Sequence, residues 1–166
     1  MDIFKHEFYK IASKKITYIL MFIFMCAYVY TTNSYYDWNN TISWNRIIDF
    51  TYKGGSLFTG TIALVVLPSR FTDEYNLDTY SLIACTKYGK KKFITAKITS
   101  SIVFISLVNL LFHIFNLALN YIYGGFEGWN QPLQNLNKYA LSPYNYSIIQ
   151  FWFIQIFINT LGIIAF

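Results

Sequence analysis

Long apolar runs separated by charged segments dominate this sequence and restrict what it can fold into. The clearest run, at 98–123, exceeds the roughly 20 residues that a helix needs to cross a hydrocarbon core of about 30 Å. Of the 166 residues, 55% are hydrophobic and 13% are charged, whereas an ordinary soluble domain carries about 25% charged residues. A soluble chain of this size could not cover four such runs. We therefore predict an all-α membrane protein, a polytopic helical bundle.

Four spans are predicted within one transmembrane domain that covers residues 1–166. Pro68 should end the second span, because proline disfavours helical geometry in the residue before it. The polar, aromatic segments 32–53 and 121–146 are interpreted as external loops, with Trp38 and Trp44 as anchors at the membrane interface. The predicted spans lie at about 16–31, 50–68, 98–123 and 146–166.

Residues 2–15 have the pattern of an amphipathic helix. Phe4, Phe8 and Ile11 recur at helical spacing, and the four lysines of this segment fall away from that stripe. We expect this helix to lie in the membrane interface with its lysines toward anionic headgroups. The alternative is a cytoplasmic extension of the first span.

The distribution of basic residues predicts the orientation. Of the 13 basic residues, four lie in 5–15 and six lie in 70–97, whereas the two opposite loops hold three. Positive charge accumulates on cytoplasmic loops, so the N-terminus and the loop 69–97 should face the cytoplasm of a cell-membrane protein. The basic clusters lack the aromatic interleaving of nucleic-acid-binding sheets, so we expect membrane lipid and no nucleic acid as a partner.

One face of the third span carries polar side chains spaced by three and four residues. Because polar groups that face lipid cost free energy, this face should meet other helices or a water-filled path. Phe104, Leu111 and Phe115 should be more exposed. His113 is the one ionisable group deep in a span. We favour a neutral histidine that hydrogen-bonds to Asn109 or Asn116 over a proton or substrate role. The stripe consists of Ser106, Asn109, His113, Asn116 and Asn120.

The chain lacks the motifs of an enzyme. It has no phosphate-binding glycine-rich loop, no histidine and cysteine constellation with metal-ligand spacing, and no paired carboxylates within a span. Cys26 and Cys85 are interpreted as free thiols. We therefore expect no catalytic, cofactor-binding or metal-binding residue in this chain.

The cytoplasmic loop 69–97 carries a more specific pattern. Glu74 is followed by Thr79, by an apolar turn at 81–83, by a Lys-Tyr-Gly-Lys turn, and by Lys97 just before the third span. This order resembles the permease subunits of bacterial ABC-2-type transporters, in which a short coupling helix between the second and third spans touches the ATPase subunit. Asp78 stands where that family usually has glycine, which puts the detailed turn in doubt but not the helix.

The resemblance implies a membrane-spanning permease subunit of an ATP-driven exporter. ATP would be hydrolysed by a separate ABC ATPase subunit, and this chain would bind no cofactor itself. A second permease copy or a paralogue would complete a dimer. Such permeases usually have six spans, so four spans suggest a fragment or a truncated subunit. The residues expected to dock the ATPase are Glu74, Asp78, Thr79, Tyr80, Leu82, Ile83 and Lys87.

A second interpretation remains open from the sequence. The chain could be a non-transporting membrane protein, such as an immunity or sensor subunit that binds peptides through its aromatic external loops. A partner ATPase is the feature that separates the two functions. The transported substrate is not encoded in a recognisable motif, because asparagine and tyrosine side chains suit lipids, peptides and drugs alike.

Overall fold

A computed structural model describes residues 2–34, 43–76, 89–125 and 127–165 of the chain. Helices dominate these residues, and no β-strand occurs among them. The structure confirms an all-helical bundle whose long apolar helices suit a membrane.

The N-terminal segment forms a helix of its own. Helix α1 spans Asp2–Ala12, and helix α2 spans Lys15–Ser34 after a break at residues 13 and 14. Ile11, on the apolar stripe of α1, is fully buried. The stripe also places the Phe8 ring 6.0 Å from that of Phe104 in the third span. The segment is therefore a separate helix packed on the bundle, and not a continuation of the first span.

The second membrane helix starts earlier in the chain than the sequence suggested. Helix α3, Ser43–Phe50, runs into a π-helical segment, Thr51–Gly55, and then into helix α4, Ser56–Asn76. The torsion angles of Phe50 and Ser56 are helical at both junctions, so the three pieces form one continuous rod. Much of the predicted external loop 32–53 is thus helical. Its residues 35–42, with Trp38, lie outside the described residues.

Pro68 lies inside α4 and does not end it, so the predicted stop is wrong. Proline lacks an N–H group and leaves a carbonyl one turn earlier without its helical donor. In membrane helices, nearby hydroxyl side chains and small local adjustments can satisfy freed backbone groups. Near the proline, the Ser69 hydroxyl donates to the Val66 carbonyl at 2.8 Å and the Thr72 hydroxyl donates to the Pro68 carbonyl at 3.2 Å. Neither of these is the Leu64 carbonyl, which is the one that Pro68 leaves without a helical donor.

The third membrane helix, α5, spans Gly89–Gly124. Its 36 residues give a length of about 54 Å, which exceeds a hydrocarbon core of about 30 Å. The exposed Lys91 and Lys92 lie in its first turn, so this end projects beyond the apolar part of the helix. Helix α6 spans Ile148–Ala165.

Among the described residues, three helices are long and apolar enough to cross a membrane. Their qualifying segments are Lys15–Thr32, Trp44–Ser69 and Lys91–Ile122. The apolar part of α6, Ile148–Gly162, is shorter.

The main apolar core lies between α1, α4 and α5. At its centre the rings of Phe58 and Phe112 stack with their centroids 4.2 Å apart. Phe104 belongs to this core and is 6% exposed, contrary to its expected exposure, because α1 covers that side of α5. Leu111 is exposed as expected, and Phe115 is partly buried. The buried members of the core are Ile11, Phe58, Ile62, Val66, Phe104, Val108 and Phe112.

The packing of α1 predicts a large difference between two isoleucines of the same helix. Ile11 is fully buried and Ile3 is 48% exposed. We expect Ile11→Ala to lower the free energy of unfolding by about 2–5 kcal/mol, since it leaves a cavity between α1, α4 and α5. Ile3→Ala should change it by no more than about 0.5 kcal/mol. Unfolding in mild detergent measures both, and equal effects would show that α1 does not pack on the bundle.

Candidate intramembrane site

The polar stripe of the third span lies on the side of α5 that faces the bundle. Asn109, His113 and Asn116 are 0% exposed and Asn120 is 2% exposed, while Ser106 is half-buried. A buried amide or imidazole loses free energy unless it finds a hydrogen-bond partner. The partners of each side chain therefore determine what this face does.

The second half of the stripe, Asn116 and Asn120, is hydrogen-bonded to the first span. The Tyr28 hydroxyl of α2 donates to Oδ1 of Asn116. The Asn120 amide donates to the Tyr28 hydroxyl at 2.9 Å and to Asn116 Oδ1 at 2.8 Å. Tyr28, Asn116 and Asn120 thus form a closed network that links α2 to α5.

Asn116 extends this network to the π-helical segment. Its amide nitrogen lies 3.3 Å from both the Ile47 carbonyl and the Thr51 hydroxyl, and the Thr51 hydroxyl donates to the Ile47 carbonyl at 2.7 Å. A π-helical turn shifts the backbone hydrogen bonds of a helix, so carbonyl oxygens beside it become available to side chains of a neighbour. Asn116 of α5 hydrogen-bonds to one of these carbonyls, that of Ile47 in α3, and to Tyr28 in α2, so it links three helices.

Gly54 of the π-helical segment allows the packing that supports Tyr28. A Cβ atom on Gly54 would overlap the ring of Phe50. That ring instead lies against Tyr28, with ring centroids 3.8 Å apart. Gly54 therefore allows Phe50 to fold back over the segment and support the tyrosine that anchors the network.

The first half of the stripe, from Ser106 to His113, does not form a closed hydrogen-bond network of this kind. Neither ring nitrogen of His113 has a hydrogen-bond partner. The Asn109 amide donates to the Thr160 hydroxyl of α6 at 2.8 Å, and Asn116 is committed to the network with Tyr28. The predicted hydrogen bond between His113 and Asn109 or Asn116 is therefore absent. Asn116 and the Asn109 amide nitrogen bond to other helices, and Asn109 Oδ1 has no partner.

A cavity of about 150 Å³ lies beside this first half. Ser106 of α5 and Thr160 of α6 supply its polar lining, and Leu67 of α4 closes one side. The remaining lining residues are isoleucines: Ile98, Ile102, Ile105 and Ile164. The cavity is thus mainly apolar, with hydroxyl groups near Asn109.

A second apolar cluster covers one end of the bundle and was not predicted from the sequence. Residues 127–147, which we call the loop cap, pack on α3 and α6. Trp44 is 5% exposed, and its indole N–H donates to the Glu127 carbonyl at 2.9 Å, so it is a core residue and not an interface anchor. The helical spacing of Trp44, Ile47 and Ile48 was the signal available in the sequence. The buried members are Trp44, Ile47, Ile48, Leu133, Leu136, Ile148 and Trp152.

The loop cap also carries an ion pair to α3. Lys138 Nζ donates to Asp49 Oδ1 at 2.6 Å, and this hydrogen bond raises the pKa of Lys138 above its ordinary value. Both side chains are largely exposed, so water screens the pair and it contributes at most about 1 kcal/mol. Burial of Leu133 and Leu136 holds the cap more strongly than this pair does.

The predicted ATPase-docking segment is bracketed by described helices. Glu74 lies in the last turn of α4, which ends at Asn76, and α5 begins at Gly89. The other docking residues and Cys85 lie outside the described residues; the docking residues are Asp78, Thr79, Tyr80, Leu82, Ile83 and Lys87. The described residues contain no group of three or more histidine, cysteine, aspartate or glutamate side chains that could hold a metal ion.

These features describe an all-helical membrane protein with a polar stripe inside its bundle. A sequence model described as "ABC-2 family transporter protein" matches residues 3–164, which is nearly the whole chain. The chain therefore belongs to the ABC-2 transporter family and is a membrane-spanning transport component of an ABC system. No curated protein and no solved structure matches it.

The network around Asn116 predicts a measurable role for one hydroxyl group. We expect Tyr28→Phe to lower the free energy of unfolding by about 0.6 kcal/mol and by at most about 1.7 kcal/mol, the range measured for hydrogen bonds between membrane helices. The matched control is Tyr18→Phe, since Tyr18 lies on the same helix and is 52% exposed. Unfolding in lipid–detergent mixtures compares the two variants. Equal effects would contradict the assignment of Tyr28 to an interhelical network.

Proposed function

We propose that this chain is the permease subunit of an ATP-driven exporter and that a separate ABC ATPase docks on the segment from Glu74 to Tyr88. The observation that carries the proposal is the family match over residues 3–164. The ATPase would bind and hydrolyse the nucleotide. The permease would respond by changing the relative stability of its inward-open and outward-open states.

The arrangement of α4 and α5 supports this docking site. Both helices extend beyond their apolar parts, to Asn76 and from Gly89, so the intervening segment is attached to a membrane helix at each end. The stacked rings of Phe58 and Phe112 join the two helices inside the bundle. A force applied to the segment would pass directly into α4 and α5 and so reach the polar stripe.

The same proposal includes the orientation and the assembly. The segment and the N-terminus face the cytoplasm, as the ten-to-three distribution of basic residues favours. A second permease copy or a paralogue completes the transport path, as the family resemblance implies. The exposed apolar residues of α2, among them Ile19, Phe22 and Ile23, are available to lipid or to that second subunit.

Replacement of the docking segment tests the proposed function. We expect Glu74→Ala to weaken co-purification with the ATPase subunit and to lower the ATP hydrolysis rate of the complex, while membrane insertion is unchanged because insertion depends on the flanking spans. Replacing Glu74–Tyr88 with a Gly/Ser linker should abolish both. The control is Lys138→Ala, on the loop cap. Unchanged co-purification and hydrolysis with the Gly/Ser linker would favour the non-transporting immunity or sensor protein instead.

The orientation is tested separately by thiol labelling in intact cells. A Cys26→Ser variant keeps Cys85 as its one thiol, and we expect a membrane-impermeant reagent to label it only after the cells are permeabilised. The control is Leu141→Cys in a chain whose own cysteines are both replaced by serine. Leu141 is 99% exposed on the opposite side, so this thiol should react from outside. Labelling of Cys85 in intact cells would reverse the proposed orientation.

A further inference from the structure

Among the described residues, most of the buried polar atoms without a partner belong to two neighbouring helices, α5 and α6. The described residues leave eight buried side-chain nitrogen or oxygen atoms without a hydrogen-bond partner, and six of these belong to α5 and α6. Native proteins leave few such atoms, and a group of them calls for a bound water or ligand. The six atoms are Asn109 Oδ1, His113 Nδ1, His113 Nε2, Trp152 Nε1, Gln155 Oε1 and Asn159 Nδ2.

The geometry around Gly55 brings the central members together. An ideal Cβ on this glycine would lie 3.0 Å from His113 Cε1, 3.2 Å from Asn159 Nδ2 and 3.6 Å from His113 Nε2. Both unpaired nitrogens are therefore close to one point above the backbone of the π-helical segment. π-Helical turns occur frequently at functional sites. We call Gly55, Asn109, His113, Asn159 and Thr160 the polar junction.

The amide nitrogen of Asn109 has a hydrogen-bond partner, whereas its amide oxygen has none. The Thr160 hydroxyl donates to the Ile156 carbonyl at 2.8 Å, so its oxygen is the acceptor for the Asn109 amide nitrogen. This assigns the Asn109 amide orientation and leaves Oδ1 as the unpaired acceptor. Thr160 also lines the cavity of about 150 Å³, so this end of the junction borders a cavity whose lining is mainly isoleucine.

The unpaired atoms have the composition that suits a neutral ligand. Asn159 offers N–H donors, Asn109 offers an acceptor, and a neutral imidazole offers one of each. No carboxylate, lysine or arginine is among the unpaired groups. A water molecule donates and accepts, and a stable buried site for it requires two to four polar partners, which the junction provides.

We propose that the polar junction is a buried water-binding site between the π-helical segment, α5 and α6. Water hydrogen-bonds to His113 Nε2 and to Asn159 Nδ2, the two unpaired nitrogens that lie close together beside Gly55. The proposal goes beyond the permease function and does not depend on it. An ATPase that fails to bind leaves it untouched, and a dry junction leaves the docking proposal untouched.

Solid-state NMR with magnetisation transferred from water tests this site in lipid bilayers. His6→Gln leaves His113 as the one histidine, so labelled histidine reports only on the junction. The Phe-His pair at 112–113 occurs once in the sequence, and its labelled Phe112 carbonyl serves as a dry reference on the same helix. We expect the His113 ring to receive water magnetisation before this carbonyl does. Simultaneous or later appearance of the ring overturns the proposal.

Two matched glycine variants give a second readout. Gly55→Ala places a methyl group in the junction, whereas a Cβ on Gly60 meets nothing within 4 Å. We expect early water transfer to the His113 ring to be lost in Gly55→Ala and kept in Gly60→Ala. Transfer that survives in Gly55→Ala places the water elsewhere and contradicts the site. If Gly55→Ala does not fold, Asn159→Leu against Ile158→Leu supplies the same comparison, with loss of early transfer expected only for Asn159→Leu.

Discussion

The hydrogen bonds of Asn116 are the constraint on which the helix arrangement depends. A polar group that faces the hydrocarbon region finds no water there, so it must turn toward partners inside the bundle. Asn116 contacts Tyr28 on α2 and Ile47 and Thr51 beside the π-helical segment. One amide thus determines how three helices meet. Phe50, folded back over Gly54, holds the tyrosine in place for this contact.

The same helix offers a different kind of contact to α6. There, Asn109 makes a direct hydrogen bond to Thr160, while His113 and Asn159 keep unpaired nitrogens. Direct side-chain bonds with complementary geometry resist displacement, whereas water-mediated ones can be exchanged at little enthalpic cost. The side of α5 that faces α2 is therefore suited to stay together, and the side that faces α6 is suited to rearrange. Under the proposed function, the side that faces α6 is where the bundle would change between its two states.

In the proposed function, α4 and α5 are the helices that would carry motion of the docked ATPase into the bundle. Helices α4 and α5 pack against each other through Phe58 and Phe112 and then extend to either end of residues 77–88. Pro68 lies within α4 on the way to that segment. Because α4 continues through the proline, motion of residues 77–88 would pass along this helix into the bundle.

The sequence by itself determined that this chain is helical and crosses a membrane, because apolar run length and charge placement are local properties. The spacing of the stripe also predicted a common helix face, with Asn109, His113 and Asn116 side by side. Only the tertiary structure decided which of these amides are paired, since Tyr28 and Asn116 lie 88 residues apart in the chain. For the same reason the sequence indicated an apolar face at Trp44, Ile47 and Ile48 but not that the loop cap covers it, since Trp44 and Glu127 lie 83 residues apart in the chain. A local pattern states which face of a helix is polar, whereas the partner on the next helix depends on how the whole bundle packs.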